Sequence, residues 1–266
     1  MGTRLQGKVA LVSGAARGQG RAHAVRLAEE GADIIAFDVC RQLDTVPYPL
    51  ATPEDLQETV ALVEKLDRRI IARTADVRDD AAVRAVVADG VAELGRLDVV
   101  IANAGIATFA ENTWSLTDAA WDEMIGVNLT GVFRTVRAAI PAMIEAGNGG
   151  SIVITSSTAG LKGMGHIAHY SAAKHGVVGL ARTLAIELAP HSIRVNTVHP
   201  TGVNTPMVVN EQTGAFLDGN TGLQNLLPVS MVEAADVANA VLWLTSDEGR
   251  YITGVSLPVD AGFLQR

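Results

Sequence analysis

Short, nearly uninterrupted apolar runs alternate along this chain with longer segments of helical period. Residues 8–13, 32–38, 70–75, 97–102, 151–155, 193–198 and 254–257 read as strands, because β-branched and apolar positions follow one another without polar alternation. Between them, residues 18–30, 79–94, 168–188 and 234–245 carry helical spacing, and Gly31 closes the first as a left-handed cap. Residues 53–67 form another helix, with Thr52 as N-cap and Pro53 in the first position. A long helical stretch over residues 120–146 is expected to break near Gly131 and near Pro141. Strands apolar on both sides, each followed by a helix, predict an α/β fold. It is a doubly wound parallel sheet of about seven strands with helices on both faces. Two stretches are irregular: residues 39–53, which hold Pro47, Pro49 and Pro53, and residues 200–228, with Met207, Val208, Phe216, Leu217, Leu223, Leu226 and Leu227. The second reads as an apolar lid over a substrate.

Composition narrows the picture. With 266 residues, one large α/β domain over residues 1–266 competes well with two small ones, and no linker, repeat or low-complexity tract divides the chain. Acidic residues outnumber basic ones 29 to 21, for a net charge of −8, which argues against a nucleic-acid partner. One cysteine, Cys40, permits no internal disulfide and no cysteine-based zinc site. No apolar run reaches the roughly 18 residues of a membrane span. These features predict a soluble, cytoplasmic protein without a metal. His166 and His169 flank Tyr170 and are expected as pocket wall, and His199 as a packed or hydrogen-bonded residue.

The first strand runs into Gly14-Ala15-Ala16-Arg17-Gly18-Gln19-Gly20, which opens a helix. Glycines let the backbone approach a pyrophosphate, whose charge is met by the free amides and the dipole of the helix N-terminus. Asp38 ends the next strand, where a carboxylate accepts hydrogen bonds from a ribose 2′-hydroxyl and repels a 2′-phosphate. Arg17 pulls the other way as a possible phosphate partner, but Asp38 has the stronger vote, so NAD is favoured over NADP. Tyr170 and Lys174 stand four apart on a helix and share a face. An ammonium beside a phenol is expected to lower the phenol's pKa and make it a usable base.

The spacing Gly-x-x-x-Gly-x-Gly resembles that of the short-chain dehydrogenase/reductase family. Asp76-Val77, Asn103-Ala104-Gly105, Asn128, Ser157, Tyr170-x-x-x-Lys174 and Arg194-Val195-Asn196 follow in the family's order. The resemblance implies a Rossmann fold and a secondary alcohol–ketone oxidoreductase. It implies Tyr170 as acid/base, Ser157 as holder of the substrate oxygen, and Lys174 as partner of Tyr170 and of the nicotinamide ribose. Asn128 would bend its helix and hold a water leading to Lys174. Asp76 and Val77 would meet the adenine, Asn103, Ala104 and Gly105 would line the cofactor, and Val203 and Thr205 would reach the carboxamide. Gly14, Arg17, Gly18, Gln19, Gly20, Asp38 and Val39 complete the expected NAD site. The chain departs from the family in Pro200-Thr201-Gly202, where Pro-Gly is usual.

Residues 39–53 add length beyond an ordinary family member, and Asp38-Val39-Cys40-Arg41-Gln42-Leu43-Asp44 with Pro47-Tyr48-Pro49 resembles the carveol dehydrogenase-like, mycofactocin-coupled branch. That resemblance implies tightly held NAD and mycofactocin as electron acceptor, while the apolar 200–228 lid suggests a lipophilic, terpenoid-like alcohol and the wider family resemblance a homotetramer. An NADP-dependent reductase and a non-catalytic nucleotide sensor are the alternatives. Asp38 speaks against the first, and the intact Ser157, Tyr170 and Lys174 set against the second.

Overall fold

Seven parallel strands form a single sheet in the order β3-β2-β1-β4-β5-β6-β7. They are β1 (Val9–Ser13), β2 (Asp33–Asp38), β3 (Ile70–Thr74), β4 (Val99–Ala102), β5 (Gly150–Thr155), β6 (Ile193–Pro200) and β7 (Ser256–Val259). This computed structural model describes residues 3–211, 213–214 and 224–266. Helices α1 (Gly18–Glu29), α2 (Pro53–Glu64) and α7 (Ala234–Thr245) cover one face of the sheet. On the other face lie α3 (Asp80–Leu94), α4 (Asp118–Ile125), α5 (Val132–Ala146) and α6 (Ala168–Leu188). The alternation of inward side chains along β1 decides this: Val9 and Leu11 enter one core, Ala10 and Val12 the other.

Strand order reverses between β1 and β4. The crevice outside the carboxyl ends of the strands opens there, and open α/β sheets bind ligands at such a point.

Local differences from the expected elements have physical causes. The long helix does change near Gly131, but as a π-helical turn, Gly126–Gly131, between α4 and α5. Pro141 does not break α5. It lies on the exposed face, so the carbonyl it leaves unpaired meets solvent. α2 stops at Glu64, short of Asp67, which turns the chain at φ 54°. Its N-terminus is as expected: Thr52 Oγ1 accepts from Asp55 N, and the Asp55 carboxylate accepts from Thr52 N. The final strand begins two residues late, because Gly254 turns at φ 73° before it. Pro258 is tolerated in β7 because an edge strand has one side without a ladder.

Residues 39–53 are not a surface decoration. Leu43, Val46 and Tyr48 are buried in the same core as α3 and α5, forming a strap across the mouth of the crevice. Four contacts fasten it. Arg41 pairs with Asp76 at 2.8 Å. Thr45 N and Oγ1 donate to Glu123 at 3.1 and 2.5 Å. Tyr48 Oη accepts from Ala107 N at 3.1 Å, and the Arg17 guanidinium donates to the Pro49 carbonyl. In the region expected as a lid, Met207 and Val208 line the crevice. Leu226 and Leu227 do not. They are exposed, and their amides donate to Ala261 in the C-terminal segment. Phe216, Leu217 and Leu223 lie outside the described residues.

Candidate active site

The glycine turn is fixed by close contacts that no side chain could survive. A Cβ on Gly20 would lie 1.9 Å from the Gly14 carbonyl oxygen, and one on Gly14, at φ 67°, 2.8 Å from Ala104 Cα. The N-terminus of α1 that follows carries no side-chain cap and no acidic residue in its first turn. Its free amides therefore face the crevice with the positive end of the helix dipole. Gln19 Oε1 is buried there without a partner among the described residues. Asp38, at the carboxyl end of β2, accepts from Ala16 N at 3.0 Å and from Cys40 N at 3.4 Å. Burial raises its carboxyl against the pull of those amides. A carboxylate has about four acceptor positions, so capacity remains for a ligand hydroxyl. An uncapped helix end beside a half-buried carboxylate fits a ligand that carries both an anionic bridge and a diol.

Every expected site residue except Asn128 lines this one crevice: the glycine turn, Arg17, Gln19, Asp38, Val39, Asp76, Val77, Asn103–Gly105, Ser157, Tyr170, Lys174, Val203 and Thr205. Several are also held by contacts within the protein. Arg17 is turned to Pro49. Asp76 holds Arg41 and Arg78 in ion pairs, which outweigh its burial and keep its carboxyl below the usual range. The Asn103 amide donates to the Ser13 and Gly14 carbonyls and accepts from Thr155 Oγ1, stapling the glycine turn to β4 and β5. Asn128, fully buried in the π turn, spends its amide on both backbone groups of Ile106, at 2.8 Å each. It holds the loop after β4 by these direct bonds.

The chemistry-bearing side chains meet at the ends of β5 and α6. β5 stops at Thr155, and Ser157 caps the single turn Thr158–Gly160, its Oγ accepting from Ala159 N at 3.1 Å. The hydroxyl proton of Ser157 is thereby left to donate elsewhere. Ser156, its neighbour, points the other way and donates to the Lys174 carbonyl at 2.9 Å. Gly160 makes that packing possible, since a Cβ there would sit 2.2 Å from Ser156 Oγ. Lys174 is buried, with Nζ donating to the Thr155 carbonyl at 2.8 Å and standing 5.6 Å from the centre of the Tyr170 ring.

Burial dominates the electrostatics of this pair. Burial pushes Tyr170 above the ordinary phenol value, and the group that opposes this is Ser157, through a hydrogen bond, rather than Lys174. Burial also pushes Lys174 down to about 8. Two desolvated groups side by side each resist charging.

His166 and His169 do not line the crevice. His169 is buried behind it, 2.8 Å from Thr108 Oγ1, and His166 is exposed, bonded to the Ala110 and Glu111 carbonyls. The sequence reading missed Leu43, Tyr48, Leu50 and Ala51 of the strap as lining residues. The paired prolines around Tyr48 were the available signal, since an aromatic residue held between two stiff positions suits a fixed, buried contact. No helix among the described residues is long and apolar enough to cross a membrane.

A family model described as enoyl-(acyl carrier protein) reductase matches residues 14–264. (-)-trans-Carveol dehydrogenase of Rhodococcus erythropolis is 51% identical over 271 residues, covering 97% of this chain and 98% of that protein. The crystal structure of carveol dehydrogenase from Mycobacterium avium in complex with NAD superposes with a TM-score of 0.97 at 52% identity, over 99% of this chain and 100% of that one. A short chain dehydrogenase from Mycobacterium paratuberculosis bound to NAD superposes with a TM-score of 0.95 at 49% identity, over 99% and 100% of the two chains. By its glycine turn, its crevice and these likenesses, the chain belongs to the short-chain dehydrogenase/reductase family.

Proposed function

We propose that this chain is an NAD-dependent oxidoreductase that interconverts a secondary alcohol and a ketone. The observation that carries the reading is the convergence of Ser157, Tyr170 and Lys174 on one crevice that also holds an uncapped helix N-terminus and Asp38. Bound NAD supplies the hydride acceptor. The Ser157 hydroxyl, its oxygen already engaged by Ala159 N, donates to the substrate oxygen and holds it beside Tyr170. Tyr170 Oη takes the alcohol proton as the C–H bond gives up its hydride, and returns a proton in the reverse direction. Lys174 lies beside the phenol and would bind the nicotinamide ribose hydroxyls. Asp38 accepts from the adenosine ribose, which favours NAD over NADP.

The substrate is a lipophilic, terpenoid-like alcohol of carveol's kind. Met207 and Val208 at the mouth and the likeness to two carveol dehydrogenases support this. The strap gives the nucleotide a cover built from Arg41, Thr45 and Tyr48, which supports slow exchange and reoxidation in place by mycofactocin or a carrier of its type. Homotetramer assembly remains part of this proposal on family likeness alone.

Mass spectrometry of the nucleotide released on denaturing exhaustively dialysed protein tests the assignment. The expected species is NAD, reduced to NADH when carveol is added first. A Tyr170→Phe protein that still reduces its nucleotide overturns the proposed chemistry, and an empty protein overturns the slow exchange. Variants with residues 39–53 shortened are expected to release NAD faster.

A further inference from the structure

His199, near the end of β6, is wholly buried and has both ring nitrogens engaged. Nδ1 lies 2.7 Å from the Ser157 carbonyl oxygen and Nε2 lies 2.7 Å from Thr197 Oγ1. A carbonyl has no proton to give, so Nδ1 carries the N–H. The bare Nε2 of the neutral ring then accepts from the Thr197 hydroxyl. One tautomer satisfies the whole chain, from Thr197 through His199 to Ser157. Thr197 and His199 are two apart on a strand and share a face, so β6 builds this arrangement by its period alone.

The position of Ser157 accounts for its need of such a partner. The β5–β6 ladder ends with Ser156 N donating to Val198 at 2.9 Å, so Ser157 is the first residue beyond the sheet. Its carbonyl accepts from Gly160 N within its own turn, at 2.9 Å. The bond from His199 is the one that ties this carbonyl to another element.

We propose that His199 is a positioning residue for the reaction: by holding the Ser157 carbonyl to β6, it aims the Ser157 hydroxyl at Tyr170 and the substrate oxygen. The inference rests on the reading of Ser157 and Tyr170 as the pair that handles the substrate proton. Ser157 opposes the burial that raises Tyr170, so a misaimed Ser157 leaves the phenol harder to ionise. The charged or titratable groups around this chain are few. Lys174, Arg182 and His175 of α6 bear on His199, and Tyr48 of the strap and Lys174 on Tyr170. All three α6 groups disfavour a charged imidazole, and with burial they keep the ring neutral.

The test is the single-turnover rate of nicotinamide reduction by carveol, measured against pH on NAD-loaded protein. His199→Gln moves the amide donor to the Nε2 position and abandons Ser157. The acid limb of its rate profile is expected to move up by on the order of one pH unit, a roughly tenfold loss on that limb. His199→Asn keeps an N–H where Nδ1 stood and is expected to restore the rate to within about twofold of wild type. Ser157→Ala, which removes the hydroxyl itself, is expected to shift the limb at least as far as His199→Gln, and the double variant no further than Ser157→Ala.

If His199→Gln does not fold, Thr197→Val carries the test. It keeps the ring but frees its tautomer, and a smaller shift in the same direction is expected. A folded His199→Gln or Thr197→Val protein with the wild-type profile overturns the proposal, as do Asn and Gln variants that are equally impaired. A Tyr170→Phe protein that still reduces its nucleotide overturns the proposed function instead.

Discussion

Replacing Tyr48 by alanine isolates what the strap does for nucleotide retention. The side chain is 4% exposed, packs in the α3–α5 core, and accepts a hydrogen bond from Ala107 N. Truncating a buried aromatic ring costs about 3–5 kcal/mol. If the strap must lift for the nucleotide to leave, that loss falls on the closed state alone. At about 1.4 kcal/mol per tenfold, the lower figure speeds release about a hundredfold. Arg41→Ala is the contrast. The Arg41 side chain is 61% exposed, and an exposed ion pair contributes about 1 kcal/mol or less, so release should quicken less than about fivefold. Tyr48→Phe, which loses only the bond to Ala107, is expected between the two. Protein loaded with NADH is mixed with excess NAD, and the decay of bound-NADH fluorescence gives the rate. A Tyr48→Ala protein with an intact thermal transition and a release rate within twofold of wild type would refute the reasoning, because the strap would then not be the barrier to exit.

Other expectations follow from the same contacts. Asp38→Asn removes the charge that repels a 2′-phosphate and weakens the bond to a 2′-hydroxyl. NADP should appear among the nucleotides released on denaturation, with NAD preference reduced at least about tenfold. Gly20→Ala puts a methyl group into the Gly14 carbonyl, and the protein is expected to be purified without nucleotide or not to fold, as circular dichroism would reveal. Burial lowers His23, and likewise His199, from 6.5 to about 4. The unfolded rings take protons at the higher pH, so stability present above pH 6.5 is lost as pH falls toward 4, by about 3 kcal/mol per ring. His23 has no partner at either nitrogen among the described residues, so His23→Leu should raise the urea midpoint at pH 7 and flatten its fall between pH 6.5 and 4.

The sheet was legible in the sequence because a parallel strand buried on both faces must be apolar throughout, and few other elements of a water-exposed fold tolerate such a run. β1, β2 and β4 come out within a residue or two for that reason. What periodicity could not reveal is whether a helix-breaking residue stands where its defect is harmless. Pro141 reads as a break but sits on the wet side of α5, whereas Gly131 reads as one and becomes a π turn. There a Cβ would meet Val77 at 2.5 Å. At the site, residue identity predicted membership of the crevice but not the bonds within it. Asn103, Asn128 and Arg17 bind backbone groups, and a hydrogen bond to a backbone carbonyl leaves no trace in the partner's identity. The strap was visible only as excess length. Its burial depends on Glu123 and Ala107, which stand 78 and 59 residues from the strap residues they bind.

The capping pair of Thr52 and Asp55 has a practical corollary. α2 is nucleated by its own first turn and asks nothing of the chain that precedes it, while β2 ends at Asp38 inside a completed ladder. The intervening stretch is therefore joined at both ends to elements that are ordered by their own contacts, and is held between them by Glu123, Ala107 and Asp76. Its exposed positions can be varied without redesigning the sheet beneath it, provided that Leu43, Val46 and Tyr48 still fill the core.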